Sequence, residues 1–133
     1  MNKEKELLFV ENFIVKPKRE RMAYELTNNK KRQNAISRFC HTALDYIDTK
    51  KIVYEGDITN VTELIEIVRK YTKEDMVYVI SWDEDLDGKS MNIDCAMNKA
   101  IDSGMATILV VGNVVFIKTE QEDGAAKSYI LKI

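Results

Sequence analysis

The apolar residues of this chain change their spacing near residue 50, and that change limits the folds open to it. Before this point they recur three and four residues apart, as on one face of a helix. Beyond it, short apolar runs alternate with helical stripes. Such a chain builds helices first and then lays down a sheet, an α+β class with α/β-like character.

The helical part reads as three elements. Leu7, Val10 and Ile14 share a face over residues 3–14, with Phe9 and Phe13 beside it. Pro17, the only proline, suits the first turn of a second helix running to Thr27, with Met22, Ala23 and Leu26 inward. Asn28-Asn29 breaks it. Ile36, Phe39, Cys40, Ala43 and Ile47 then predict one long helix over residues 30–48.

The second part begins with a short strand at Ile52-Val53-Tyr54. Asn60, three residues before Glu63, has the form of a helix start. Val61, Leu64, Ile65, Val68 and Tyr71 make the stripe of that helix. Met76–Trp82 is nearly all apolar and predicts a central strand. Ile93, Ala96, Met97, Ala100 and Ile101 form the next helical stripe, which Gly104 ends. Ala106–Val111 and Val114–Lys118 flank Gly112-Asn113, a type II′ hairpin turn. Gln121-Glu122-Asp123-Gly124 turns the chain again, and Tyr129–Ile133 closes the sheet.

The predicted order is ααα-β-α-β-α-β-β-β. Its two crossovers predict parallel neighbours, and its last three strands an antiparallel meander, in a mixed sheet of about five strands. We expect one domain over residues 1–133, with helices on at least one face of the sheet. At 133 residues it needs neither metal nor disulfide to fold.

Charge divides along the same line. Residues 1–50 hold eleven Lys/Arg against seven Asp/Glu, a net of +4. Residues 51–133 hold nine against fifteen, a net of −6. This asymmetry suggests partners of opposite sign for the two halves. The longest apolar stretch, Met105–Ile117, is interrupted by Thr107, Gly112 and Asn113 and does not read as a membrane span. The charged N-terminus does not read as a signal peptide. The expected location is the cytoplasm, with Cys40 and Cys95 as buried, reduced thiols.

The segment Asp83-Glu84-Asp85-Leu86-Asp87-Gly88-Lys89-Ser90 lies between a strand and a helix. Loops at the carboxyl ends of strands are where open sheets tend to bind ligands. Asp83, Asp85, Asp87 and Gly88 match the opening of an EF-hand-type loop, in which alternate carboxylates turn toward a Ca²⁺ ion. The twelfth position is Asp94, one carbon shorter than the usual glutamate. Ser90 stands where an apolar residue belongs, and the preceding element is a strand. Metal ligation by Asp83, Asp85, Asp87 and Asp94 is therefore one expectation. Gly88-Lys89-Ser90 also ends like a phosphate-binding loop, but Asp83 replaces its first glycine, and four carboxylates would oppose an anion. The plainest alternative is an ordinary solvated turn. A fourth is a surface that meets a basic partner. There Trp82 serves as an anchor or, as its place at a strand end favours, as a core residue.

Lys16, Lys18, Arg19, Arg21, Lys30, Lys31, Arg32 and Arg38 crowd the helices against Glu20 and Glu25. Such a cluster binds phosphate backbones, forms a solvated face, or docks on the acidic half of its own chain. No motif marks a recognition helix, and the pI near 5.5 is far from that of a nucleic-acid binder. His41, the only histidine, points about 100° away from Cys40 on a helix, which separates them for metal or thiolate chemistry.

No constellation demands one reaction, so the expectation is a non-enzyme. The leading one is a small regulatory or inhibitor protein, of the kind that neutralises a nuclease. It would present residues 82–94 with Glu120–Asp123 to a basic partner protein. Trp82 and Glu84 would mark the acidic contact, and Lys18, Arg19, Arg21, Lys31 and Arg32 a basic one. Ca²⁺ binding at the acidic loop and weak nucleic-acid binding by helices 16–38 are the alternatives. A second copy of the chain is a further expected partner, covering exposed strand edges.

Overall fold

Helix α1 (Lys3–Phe13) starts at Asn2, whose side chain accepts a hydrogen bond from the Lys5 N–H. Pro17 lies in the first turn of α2 (Lys16–Leu26), where its missing N–H costs nothing. Helix α3 (Arg32–His41) is followed by the short α4 (Ala43–Tyr46). The structure, a computed structural model, describes residues 2–57, 60–119 and 127–133. No helix among the described residues is long and apolar enough to cross a membrane.

The predicted long helix over residues 30–48 is therefore broken, at Thr42. The reason is tertiary. Val15 N–H donates to Tyr46 O and Asp48 N–H to Phe13 O, making a bridge between Ile14 and Ile47. That pairing needs extended backbone at Ile47, which a continuous helix would deny.

Among the described residues the sheet has six strands: β1 (Ile52–Gly56), β2 (Met76–Ser81), β3 (Ser90–Asn92), β4 (Thr107–Val111), β5 (Val114–Lys118) and β6 (Ser128–Lys132). Their order across the sheet is β1-β6-β5-β4-β2-β3. Every neighbouring pair is antiparallel. This corrects the expected mixed sheet of about five strands. Strand β3 makes the difference, because it folds back along β2 before α6 (Ile93–Ser103) begins. The crossover through α6 thus leaves from β3, and β4 lands antiparallel on the far side of β2. The other crossover, through α5 (Val61–Arg69), carries β1 to the opposite side of β6, β5 and β4 from β2, so these two strands are not neighbours.

Both faces of the sheet are covered, which is why β2, β4 and β5 read as continuous apolar runs. Tyr78, Ile80, Ile108, Val110, Val115 and Ile117 face α1–α4 and pack on Phe9, Phe13 and Phe39. Val77, Val79, Leu109, Val111 and Phe116 face α5 and α6 and pack on Leu64, Val68 and Met97. Full burial of one such side chain contributes roughly 1.5–3 kcal/mol. Two expected core residues lie elsewhere. Leu7 is exposed while Glu6 is buried, because the helical layer places a charge network there, described below. Cys95 is exposed on α6 whereas Cys40 is buried, and the two are not joined in a disulfide.

Three glycines among the described residues hold left-handed backbone, Gly88 in the loop after β2 and two more at chain reversals. Gly104 (φ +69°) ends α6 in open space, and Gly112 (φ +57°) opens the β4–β5 turn. Among the described residues no non-glycine has positive φ, so Asn113 follows the II′ pattern as expected. A Cβ on Gly112 would lie 2.6 Å from Thr72 Oγ1. Gly104→Ala is therefore expected to cost about 1 kcal/mol from backbone strain alone. Gly112→Ala should cost more, because Thr72 must also move. Urea denaturation of the two variants checks the ranking; the reverse order would contradict it.

Candidate functional site

The acidic loop is a folded turn rather than an open one. Trp82 N–H donates to Ala106 O, carrying the β2–β4 pairing one residue past the strand. The N–H groups of Leu86 and Asp87 then both donate to Asp83 O, closing a helical turn. Gly88 (φ +77°) donates to Val79 O and brings the chain back beside β2. Asp83 Oδ1 accepts from the Asp85 N–H, the local turn chemistry of aspartate. Of the side chains in this turn, Leu86 and Asp87 point inward, while Glu84 and Asp85 point outward with Asp83 half-buried.

Leu86 joins the core that faces α5 and α6. Asp87 enters a charge network with α1 and α3. Arg32 reaches it with two parallel bonds, Nε to Oδ2 at 2.7 Å and Nη2 to Oδ1 at 2.8 Å. Ser81 N–H adds a third at 3.1 Å. Arg32 Nη1 donates to Glu6 Oε1 at 2.6 Å and to Leu26 O at 2.8 Å. Tyr78 completes the network by donating to Glu6 Oε2 at 2.5 Å and accepting from Asn2 N–H. Arg32 is 4% exposed and Glu6 2%. Burial works against the Arg32 charge, but its bonds to Asp87 and Glu6 outweigh it and raise its pKa. Burial, with the Glu6 carboxylate next, pushes the Tyr78 hydroxyl up to about 12.

This geometry gives the four predicted metal ligands separate roles. Asp87 has both oxygens engaged by Arg32, Asp83 caps its own turn, and Asp85 points outward to solvent. Asp94 lies in the first turn of α6, at the opposite end of β2 from the loop. At ~3.4 Å per residue that end is roughly 20 Å away. Among the described residues, no three His, Cys, Asp or Glu side chains gather to hold a metal ion.

The outward side of the turn borders a cleft of about 340 Å³, lined by Gln33, Trp82, Asp83, Glu84, Asp85 and Met105. Trp82 is 40% exposed and Met105 39%, so the indole lies at the surface rather than in the core. Gln33 Nε2 donates to Glu84 Oε1 at 2.7 Å. On the other side of that bond is a second hollow of about 250 Å³, between Asn29, Arg32 and Asp87. Among the described residues, none of Asp83, Glu84 and Asp85 has an ion pair.

The basic residues are spread over several local contacts. Lys18 Nζ lies 4.3 Å from the Tyr46 ring centre, and Lys31 Nζ 5.2 Å from that of Tyr24. Arg19 donates to Ile14 O, and Arg21 pairs with Glu25. Arg38 also bonds Glu25, and that bond holds the Glu25 carboxyl below its usual pKa. Arg32 departs from its expected place on a partner-facing surface: the acidic half of its own chain takes it into the interior. His41 is exposed and lines a different hollow with Thr42, Leu44 and Lys127. The turn expected at residues 121–124, and with it Glu120–Asp123, lies outside the described residues.

Met105 and Gln33 complete the cleft, and neither carried a signal in the sequence. Met105 arrives because β4 pairs with β2, and Gln33 because Arg32 anchors α3 to the loop. Comparison with protein-family models, curated proteins and solved structures finds no match to this chain.

Proposed function

We propose that this chain is a protein-interaction module that docks a basic polypeptide in the cleft between Trp82 and Met105. One observation carries the reading: two large apolar side chains are exposed within a rim of three carboxylates that have no ion pair among the described residues. An aromatic anchor supplies contact area at low entropic cost. Carboxylates around it steer a cationic partner and penalise an anionic one. The turn that presents them is fastened at Leu86 and Asp87, so little ordering is lost on binding. In this reading the protein is a small regulator or inhibitor, working in the cytoplasm where its thiols stay reduced.

The test neutralises the rim and leaves the anchor of the turn alone. Asp83→Asn/Glu84→Gln/Asp85→Asn keeps side-chain acceptors and the turn geometry, whereas a change at Asp87 would disturb Arg32. The immobilised natural chain should retain basic polypeptides in a salt-sensitive way. The triple variant should lose them about tenfold or more, or roughly 1.4 kcal/mol, at an unchanged Tm. Equal retention by the variant would overturn the proposal.

A further inference from the structure

We infer that the residue the cleft receives is an arginine, which stacks on the Trp82 indole and takes Glu84 from Gln33. This rests on the docking role proposed above and names the chemistry of its partner.

Three features point to a guanidinium. The cleft pairs an exposed indole, the best cation–π surface among side chains, with carboxylates on the three residues that follow it. A guanidinium is flat and weakly hydrated, so it stacks by its face while its edge donates to carboxylates. An ammonium is compact and holds its water. The same turn already binds one arginine on its inner side, where Arg32 makes two parallel bonds to Asp87.

The third feature is the Gln33 amide. It is a planar N–H donor seated on Glu84 Oε1 at the border of the two hollows. It marks a position where a flat donor fits, and it is neutral. A charged donor makes a hydrogen bond roughly twice as strong, so an entering arginine displaces it. Once Gln33 moves, the two hollows join into one groove running from Met105 to Asn29.

Trp82 is the only tryptophan, so its fluorescence reports on this site alone. The probes are two synthetic peptides, one of arginines spaced by Gly-Ser and one with lysine at each arginine position, titrated at low salt. The arginine peptide should bind saturably and shield Trp82 from acrylamide. It should bind about two- to fivefold tighter than the lysine peptide, the reach of an exposed cation–π contact. Gln33→Ala should tighten the arginine peptide further. Trp82→Leu, followed by calorimetry, should remove the preference; leucine keeps the backbone bond to Ala106 O.

Equal affinity for both peptides, or an arginine preference that survives Trp82→Leu, would overturn the arginine anchor. If the neutralised rim still abolished binding of both peptides, the docking reading would stand without it. If the neutralised variant bound both peptides as well as the natural chain does, the docking reading itself would fall.

Discussion

Arg32→Met is expected to lower the unfolding free energy by about 3–5 kcal/mol, because it leaves two carboxylates buried without a cation. Glu6 and Asp87 share this one guanidinium, which is itself 4% exposed. Methionine fills part of the volume but donates nothing, so Leu26 O also loses its partner. For a chain between the small and mid-size domains, the fall in Tm should be roughly 10–20 °C. Adding Glu6→Gln and Asp87→Asn should recover part of the loss, since neutral groups leave no unpaired charge in the interior. The same variant should loosen the acidic turn, seen as faster acrylamide quenching of Trp82. A loss under about 1 kcal/mol, the size of an exposed pair, would mean that water reaches the network and that it does not hold the turn.

Phe39→Ala should have a comparable effect through a different cause. Phe39 is 1% exposed at the centre of the helical layer. Its ring meets Phe9 edge-on at 5.7 Å and Tyr46 at 5.8 Å, joining α3 to α1 and α4. Removing it takes away its transfer free energy and leaves a cavity, together about 3–5 kcal/mol. Phe39→Leu keeps more of the volume and should cost roughly 1–2 kcal/mol. Phe39 lies two turns beyond Arg32 on α3, about 10 Å along the axis, so the two losses should add within ~0.5 kcal/mol. Denaturation of the single and double variants measures this. A Phe39→Ala loss as small as that of Phe39→Leu would show that the layer closes over the gap.

Both effects describe how the site is held. The helical layer keeps the sheet covered through Phe39, and Arg32 fastens the turn to that layer. The carboxylates left outside the network then face the cleft.

The elements of the chain were largely legible from spacing. The stripe of α5 and its Asn60 cap, the end of α6 at Gly104, and the Gly112-Asn113 hairpin follow from local rules, because each depends on residues within a turn or two. The strand partners were not legible. Ser90-Met91-Asn92 carries no strong strand signal, yet it decides the direction of β4, because it pairs where β2 offers an open edge. The break at Thr42 has the same origin, a pairing of Ile47 with Ile14 across 33 positions of sequence.

The acidic loop shows the same division within six residues. That Asp83–Asp87 forms a charged turn after a strand was written in its composition, since aspartate and glycine favour such turns whatever surrounds them. Which carboxylate lies inside was settled by a guanidinium from residue 32 and a hydroxyl-bonded glutamate from residue 6. Like charges in a row look equivalent along the chain. They become different only when the fold buries one beside a cation and leaves the others in water, because the cost of burying a charge depends on what stands next to it in space.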